Sequence, residues 1–533
     1  MTTPMMPDGQ SQQRPSTIQQ HEAPVGMKDI VDQTPQLNEE PALENDTPET
    51  VDTMADEKCI TTEPVRRVRT IGWDGPNDPD NPKNWTQTRK WASTLTVAMF
   101  TFISPIASSM VAPALSDVAR DLNVPPGFQT SLLLSIFILS YAFGPLLLGP
   151  LSEVFGRTRV LQSSFMFFMV FCLACGLAQN KAQFFVFRII SGLGGSAPLA
   201  VGPGVLSDLW PPEQRGKALG YYTAGPLLGP AIGPIFGGFI AQDTTWRWVF
   251  WATAAYTGLV QIVGLFVLRE TYAPILLARK AAQTANSSNA NDSQVSVPKP
   301  QLSILLAKAL KRPMFLLFTQ PIIQALALYQ LYNYGTIYLI LTTFPNVWIG
   351  VYHEKQSIGG LNYLSIGVGF LLASIVAAPL NDKIYVHLKR TRGNGKGRPE
   401  FRVPLMFPAS LFCVAGLFIY GWTVQFRTHW IFPNIGMFIF SIGCIVSYQC
   451  AQTYNIDAYS KYAASGMAAV VMLRSIAGFG FPLFAPAMYD ALGYGWGNSL
   501  LGFIAIGIGM TAPLAFWLFG EKVRTRSSHA RSE

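Results

Sequence analysis

Residues 217–240 constrain this chain more than any other stretch. They are almost wholly apolar and long enough to cross a bilayer as a helix. Gly225, Gly229, Gly233 and Gly237 recur every fourth residue, so on a helix they share one face. A neighbouring helix can approach such a smooth stripe closely. Pro226, Pro230 and Pro234 each follow one of these glycines and remove a backbone donor. In water this would not be a helix. In a membrane, neighbouring helices re-satisfy the freed groups. One reading is a small-residue packing helix. The sharper one, which the repeated Gly-Pro pairs favour, is a stiff seal between two moving halves.

The rest of the chain fits a membrane protein. Of 533 residues, 49% are hydrophobic and only 13% charged, against about 25% charged in soluble domains. Twelve apolar runs are long enough to span, at about 91–113, 129–150, 160–179, 184–206, 217–240, 247–268, 314–343, 359–381, 402–424, 430–454, 463–489 and 496–519. The net charge of +8 does not point to nucleic acid, because the cations are sorted by side. Arg157, Arg159, Arg215, Lys217, Lys308, Lys311, Arg312, Lys383, Lys389, Arg390, Arg392, Lys396, Arg398, Arg402, Lys522, Arg524 and Arg526 all fall in loops of one side. The positive-inside rule then places both termini in the cytoplasm. Asn45, Asn84, Asn286 and Asn291 begin glycosylation sequons on that side, so none is expected to carry glycan.

Some functions are disfavoured directly. There is no Gly-x-x-x-x-Gly-Lys-Ser/Thr phosphate loop, and the five histidines show no paired metal spacing. An enzyme or an ATP-driven pump is therefore not expected, nor a cofactor. Cys172, Cys175, Cys413, Cys444 and Cys450 fall inside spans and read as small apolar packing residues, with Cys59 in the tail. The Cys172/Cys175 spacing lacks further ligands for a metal or redox site.

In chain order, residues 1–88 read as a disordered cytoplasmic tail, with a small basic cluster at Arg66, Arg67 and Arg69. No basic start precedes an apolar core, so no cleaved signal peptide is expected. Trp85 and Trp91 suit a membrane boundary. Span 2 ends in Gly149-Pro150-Leu151-Ser152-Glu153 and Gly156-Arg157, and span 8 ends in Ala378-Pro379-Leu380-Asn381-Asp382. The shared Pro-Leu-polar-acid pattern is an internal repeat. Gly478, Gly480, Pro482 and Pro486 in span 11 occupy the place that the opening stretch holds in the first half. Such paired interruptions point to a transporter's central pathway. The organisation is an N-terminal bundle over 89–270, a connector over 271–312 whose centre at 281–297 reads as mobile, a C-terminal bundle over 313–520 and a tail over 521–533.

Several polar residues lie within spans. Arg188, in span 4, is either a snorkelling arginine or an inward-facing cation paired with a carboxylate. Arg474 lies near mid-membrane, where an unpaired cation costs about 2.5–3.5 kcal/mol, so it must face a partner or water. Span 7 carries Gln320, Gln324, Tyr329, Gln330, Tyr332, Asn333, Tyr334 and Tyr338. Gln320, Gln324 and Asn333, with Tyr448 and Gln452 of span 10, are cavity-lining candidates, weighed against helix–helix hydrogen bonding. Asp208 can meet Arg157 at the cytoplasmic end.

These motifs resemble the fungal major facilitator superfamily, in its twelve-helix drug:proton antiporter branch. Gly225–Gly238 is similar to that branch's fifth-helix signature, and Gly149–Arg159 to the loop 2–3 signature, with Glu153 where Asp is usual. Arg188–Gly192 fits the helix-4 arginine motif, and residues 81–85, 398–404 and 462–490 also resemble the branch. The resemblance covers about 85–520. It implies an all-α integral membrane fold of twelve helices in two pseudo-symmetric six-helix bundles. It implies a gating network of Glu153, Arg157 and Asp208, and proton coupling through Arg188. No Asp or Glu sits mid-span in helices 1, 4 or 5, so coupling is expected at Asp117, Glu153 or Asp457, with Arg474 a further candidate, or else departs from the family norm.

The expected function is export of amphipathic organic compounds by proton antiport at the plasma membrane, with the vacuolar membrane as the alternative. The expected partners are a small molecule, protons and lipid, with no nucleic acid, and the protein is expected to be monomeric. Polyamine export ranks second, because no deep carboxylate is present in the first half to bind polycations. Nutrient uptake and a non-transporting receptor are the other readings.

Overall fold

The computed structural model describes residues 72–287, 302–459 and 463–526. Cys59, the Arg66–Arg69 cluster and the sequons at Asn45 and Asn291 lie outside them. The elements are α1 (Gln87–Ser109), α2 (Leu115–Asp121), α3 (Phe128–Phe155), α4 (Arg157–Gly176), α5 (Lys181–Gly195), α6 (Ala197–Leu209), α7 (Pro212–Asp243), α8 (Trp246–Val267), α9 (Ala273–Ser287), α10 (Leu302–Thr319), α11 (Pro321–Pro345), α12 (Gln356–Leu361), α13 (Tyr363–Thr391), α14 (Met406–Gln425), α15 (Ile431–Ala458) and α16 (Ala463–Arg526). Short turns force neighbouring passes to run antiparallel. Gly156, at φ 106°, makes the one-residue reversal between α3 and α4. Arg157, Arg402 and Arg524 then lie at one end of the molecule, called here the basic end.

Among the described residues, ten helices are long and apolar enough to cross a membrane, or eleven if one bent pair counts as a span. The twelve apolar runs map onto them with two differences. The seventh run breaks by 96° between Leu310–Thr319 and Pro321–Val351. Pro321 cannot continue a ladder, and Gln320 before it is extended at φ −108°, ψ 106°. The last two runs lie in one helical stretch of 62 residues, Ala464–Thr525. That stretch reverses at Gly493, whose φ of 68° and ψ of 174° are not helical, and the reversal brings Tyr489 Oη within 3.1 Å of Asn498 Oδ1. Nine residues of straight helix would hold them about 13 Å apart. Large apolar side chains point outward along the passes, among them Phe266, Leu265, Ile375 and Leu259. Such an apolar exterior suits lipid.

Helices α1 to α8 pack largely among themselves around Phe100, Phe165 and Phe168, whose rings lie 4.7 and 5.4 Å apart in sequence. Helices α11 and α13 to α16 do the same. The glycine stripe of α7 lies against α1. A Cβ on Gly229 would sit 2.6 Å from Pro105 Cβ, and one on Gly233 2.7 Å from the Ile106 carbonyl oxygen. One on Gly225 would be 3.1 Å from Phe102 Cα, and one on Gly237 would overlap the Met110 carbonyl oxygen. The stripe therefore joins two helices of the same half and is not itself the seal between halves. The halves meet where α3 packs on α16 and on other faces of α7. A Cβ on Gly238 would meet the Gln356 carbonyl oxygen at 2.6 Å, one on Gly360 the Pro234 carbonyl oxygen at 2.8 Å, and one on Gly367 the Ala231 Cβ at 3.1 Å.

The tail expected to be disordered is folded over 72–86. Asp78 accepts from the backbone N–H groups of Asp74 and Asp80, both at 2.9 Å. Asn84 donates to the carbonyls of Pro76 (2.8 Å) and Asp78 (2.9 Å). Lys280, on α9 of the connector, lies 2.7 Å from Asp78 and 2.5 Å from Asp74. Residues 281–287, expected to be mobile, thus extend a helix that clasps this segment. Trp85 is buried, with the Arg89 guanidinium 3.7 Å over its ring. The Lys280 ammonium, with the two backbone donors, holds the Asp78 carboxyl down at about 2. Its contribution is therefore complete above the ordinary carboxylate range and is lost as pH falls toward that value. Lys280→Met should expose residues 72–86 to protease several-fold faster in the membrane-embedded protein. An unchanged cleavage rate would show that the clasp does not hold the segment.

Candidate functional site

At the basic end, the α3–α4 turn assembles an ionic network. Arg157 Nη2 lies 3.8 Å from Glu153 Oε1 and its Nε 3.6 Å from Asp208 Oδ2. Arg157 also donates to Ser152 Oγ at 2.7 Å and lies 4.9 Å over the Tyr272 ring. Gly149 sits in the last turns of α3, where its carbonyl accepts from Ser152 Oγ at 2.6 Å. Sequence reasoning missed Glu270, just beyond α8. Its Oε1 accepts from the N–H groups of Arg157 (2.9 Å), Tyr272 (3.0 Å) and Thr271 (3.1 Å). Thr271 Oγ1 donates to Asp208 at 3.3 Å. The carboxylate sits at the positive N-terminus of α4, which has no acid in its own first turn. Gly156 leaves it room, since a Cβ there would overlap Glu270 Oε2. The available signal was an acid directly after an apolar run.

The second half repeats the arrangement. Arg402, just before α14, bonds Asp382 near the end of α13 at 2.5 Å and Asp457 at the end of α15 at 3.0 Å, with its guanidinium 4.3 Å over the Tyr385 ring. Glu153, Arg157 and Asp208 thus have positional counterparts in Asp382, Arg402 and Asp457. The sequence repeat showed only the first of these three pairs.

At the opposite end the halves are hydrogen-bonded. Asp117 pairs with Arg120 at 2.9 Å and accepts from Gln356 Nε2 at 2.8 Å. Gln242 Oε1 accepts from Ser357 N (3.1 Å) and Oγ (2.7 Å). Both links connect the first half to the short α12.

Between these ends lies a polar, aromatic centre. The Arg474 guanidinium sits 4.9 Å from each of two rings, Tyr334 on α11 and Tyr448 on α15. Tyr334 donates to Tyr338 at 3.5 Å, and Tyr338 lies 3.4 Å from Ser108 of α1. Nearby on α1, Ser104 bonds Tyr141 of α3. Hydroxyls therefore lead from Arg474 across to the first half. The sequence placed Tyr334 and Tyr338 on a polar span without reason to single them out. Their i, i+4 spacing puts both on one face.

Other candidates fall elsewhere. Arg188 does not snorkel: it is 1% exposed, under Phe137 at 4.6 Å and Phe250 at 5.5 Å, and donates to the Ala107 carbonyl at 3.2 Å. Among the described residues no carboxylate pairs with it. Gln320 and Gln324 do not line the centre. Gln320 is the break residue before α11, and Gln324 is exposed and donates to the Phe318 carbonyl at 3.0 Å. The bend frees carbonyls there, and the Gln324 amide satisfies one of them, while the Gln320 amide donates to Thr319 Oγ1 at 3.2 Å. Asn333 is buried but donates to the Tyr329 carbonyl of its own helix at 3.0 Å. Gln330 makes the helix–helix bond instead, to the Tyr448 carbonyl at 3.1 Å. Gln452 is half-buried on α15. Pro230 and Pro234 are buried in α7.

The chain matches the profile of the Major Facilitator Superfamily over residues 97–482. It is 48% identical over 477 residues to the efflux pump vrtL of Penicillium aethiopicum, covering 89% of this chain and 94% of that protein. It is 42% identical to the MFS-type transporter oryF of Aspergillus oryzae (84% and 93% covered) and 38% identical to the efflux pump radE of Floropilus chiversii (88% and 87%). In fold it resembles the xylose transporter XylE of E. coli in a partially occluded inward-open conformation, with TM-score 0.60, 16% identity and 81% and 98% of the two chains covered. With the profile spanning most of the chain and these relatives aligned along nearly all of it, the chain belongs to the major facilitator superfamily, as an all-helical, multi-pass membrane transporter of a small-molecule substrate.

Proposed function

We propose that this transporter exports amphipathic organic compounds from the cell by alternating access, exchanging them for protons. The observation that carries the reading is the Arg474–tyrosine centre, which is built from both halves and lies between ionic networks internal to each half at the basic end and hydrogen bonds between the halves at the other, which a rocking motion would break and remake. The names of the relatives as efflux pumps support the outward direction. In this reading the basic end is cytoplasmic, both termini face the cytoplasm, and the protein resides in the plasma membrane. Protons exchange at the span-end acids Asp117, Glu153 or Asp457, and Arg188 holds α5 rigidly against α1 and α3. Arg474 at the centre disfavours polyamine cargo, because like charges repel in a low dielectric.

The test is accumulation of a panel of dyes and antifungals in yeast lacking its own exporters. Expression should lower accumulation of the transported compounds several-fold, and a protonophore should restore it. Raised accumulation would instead mean uptake, and protonophore-insensitive export would remove the proton step.

A further inference from the structure

We infer that Arg474 anchors the acidic group of the cargo, and that the preferred substrates are planar aromatic acids, bearing a carboxylate or an acidic phenol on a fused or extended ring system. The inference deepens the transport reading above and rests on it.

The argument starts from what the guanidinium lacks. Tyr334 and Tyr448 approach it at equal distances of 4.9 Å. Contacts through ring faces attract the cation, by about 0.5–2 kcal/mol each, but two uncharged rings leave it without a counter-ion. Its N–H donors lie in the guanidinium plane, in a fork that matches a carboxylate. Arg474 Nε is buried with no hydrogen-bond partner, and no carboxylate among the described residues pairs with the side chain. A cation held so deep in a bilayer protein is costly unless an anion meets it.

Arg188 is the internal comparison. It also lies among aromatic rings, but it is sealed at 1% exposure and bonded to a backbone carbonyl. Arg474 is only half-buried, so part of its side chain stays accessible although Nε is covered. The same two tyrosines that hold it offer aromatic surface on which a planar ligand stacks while its acid reaches the fork. The hydroxyls of Tyr338 and Ser108 continue the polar path into the first half, where they suit hydroxyl or carbonyl substituents. Gly478, one turn beyond Arg474 on α16, makes the geometry feasible. A Cβ there would press on the Tyr334 ring at 2.9 Å and push it off the cation.

The experiment uses the full-length protein in lipid nanodiscs and measures binding of matched pairs, 2-naphthoate with 2-naphthamide and anthraquinone-2-carboxylate with its amide. Each acid should bind at least tenfold more tightly than its amide. Arg474→Gln should erase that preference, Arg474→Lys should keep part of it, and Gly478→Val should weaken acid binding while the protein stays monodisperse. Equal binding of acid and amide by the wild-type protein, or no binding of either, overturns the inference, and this comparison decides even if a variant does not fold. A preference that survives Arg474→Gln also overturns it. Export of neutral dyes without acid preference would sink the anchor and leave the transport reading. Acid-selective binding that depends on Arg474, with no transport of any compound, would sink the transport reading and leave the anchor.

Discussion

Gly238→Val is expected to leave the two halves folded but to block their closure at the end opposite the basic loops, lowering transport at least tenfold. A Cβ at that position meets the Gln356 carbonyl oxygen at 2.6 Å, and backbone of another segment cannot swing aside as a side-chain tip can. The halves must separate there, breaking the Asp117–Gln356 and Gln242–Ser357 bonds. A Ser357→Cys reporter in a Cys59→Ser background should then react several-fold faster with an impermeant maleimide, a clean readout because the other native cysteines are buried. Unchanged labelling with normal transport would show that the close approach is incidental. Gly237→Val, one residue away, should behave differently. Its side chain strikes the Met110 carbonyl within the same half. Overpacking of this kind costs about 1–3 kcal/mol or more, so loss of folded protein is expected. The same holds for substitution of Gly229, where the obstacle is α1.

Glu270→Ala should be the most damaging change at the basic end. It strips three backbone N–H groups of one charged acceptor and leaves the N-terminus of α4 uncapped. Hydrogen bonds to a charged group contribute about 1.5–3 kcal/mol each, so a net cost of roughly 3 kcal/mol is reasonable after water replaces some of them. The α3–α4 turn would then keep the Thr158–Arg269 bond, at 2.8 Å, and the Arg157–Tyr272 contact. Arg157 would lose its fixed position between Glu153 and Asp208. A lower melting midpoint and a transport loss of at least tenfold are expected, with Glu270→Gln recovering part of both because it keeps an acceptor oxygen. Wild-type stability in Glu270→Ala would mean that water serves the turn equally well.

Much of this architecture was legible in the chain itself. Apolar runs of spanning length, short connections and one-sided cations define a multi-pass helical protein, because a bilayer forces backbone polar groups to pair within each segment. The Glu153–Arg157 contact follows from i, i+4 spacing alone. The Pro-Leu-polar-acid repeat identified Glu153 and Asp382 as equivalent, and the fourfold glycine spacing correctly announced a close helix contact.

Which helix fills that contact was not legible, because a smooth face carries no address. Gly229 meets Pro105 of its own half, while the neighbouring face carries Gly238 to Gln356 of the other. For the same reason Gln320 and Gln324 were misplaced. Their polarity required a partner, but a 96° break supplied one locally in place of a central site. Burial of Arg188 beneath Phe137 and Phe250, the capture of Lys280 by Asp78, and the union of Arg402 with Asp457 all join residues far apart in the chain. Local periodicity and composition decide that a segment is a membrane helix and which of its faces is polar, since both are properties of adjacent residues. Only packing among the helices decides that Arg474 stands between Tyr334 and Tyr448, because that position depends on three helices closing together.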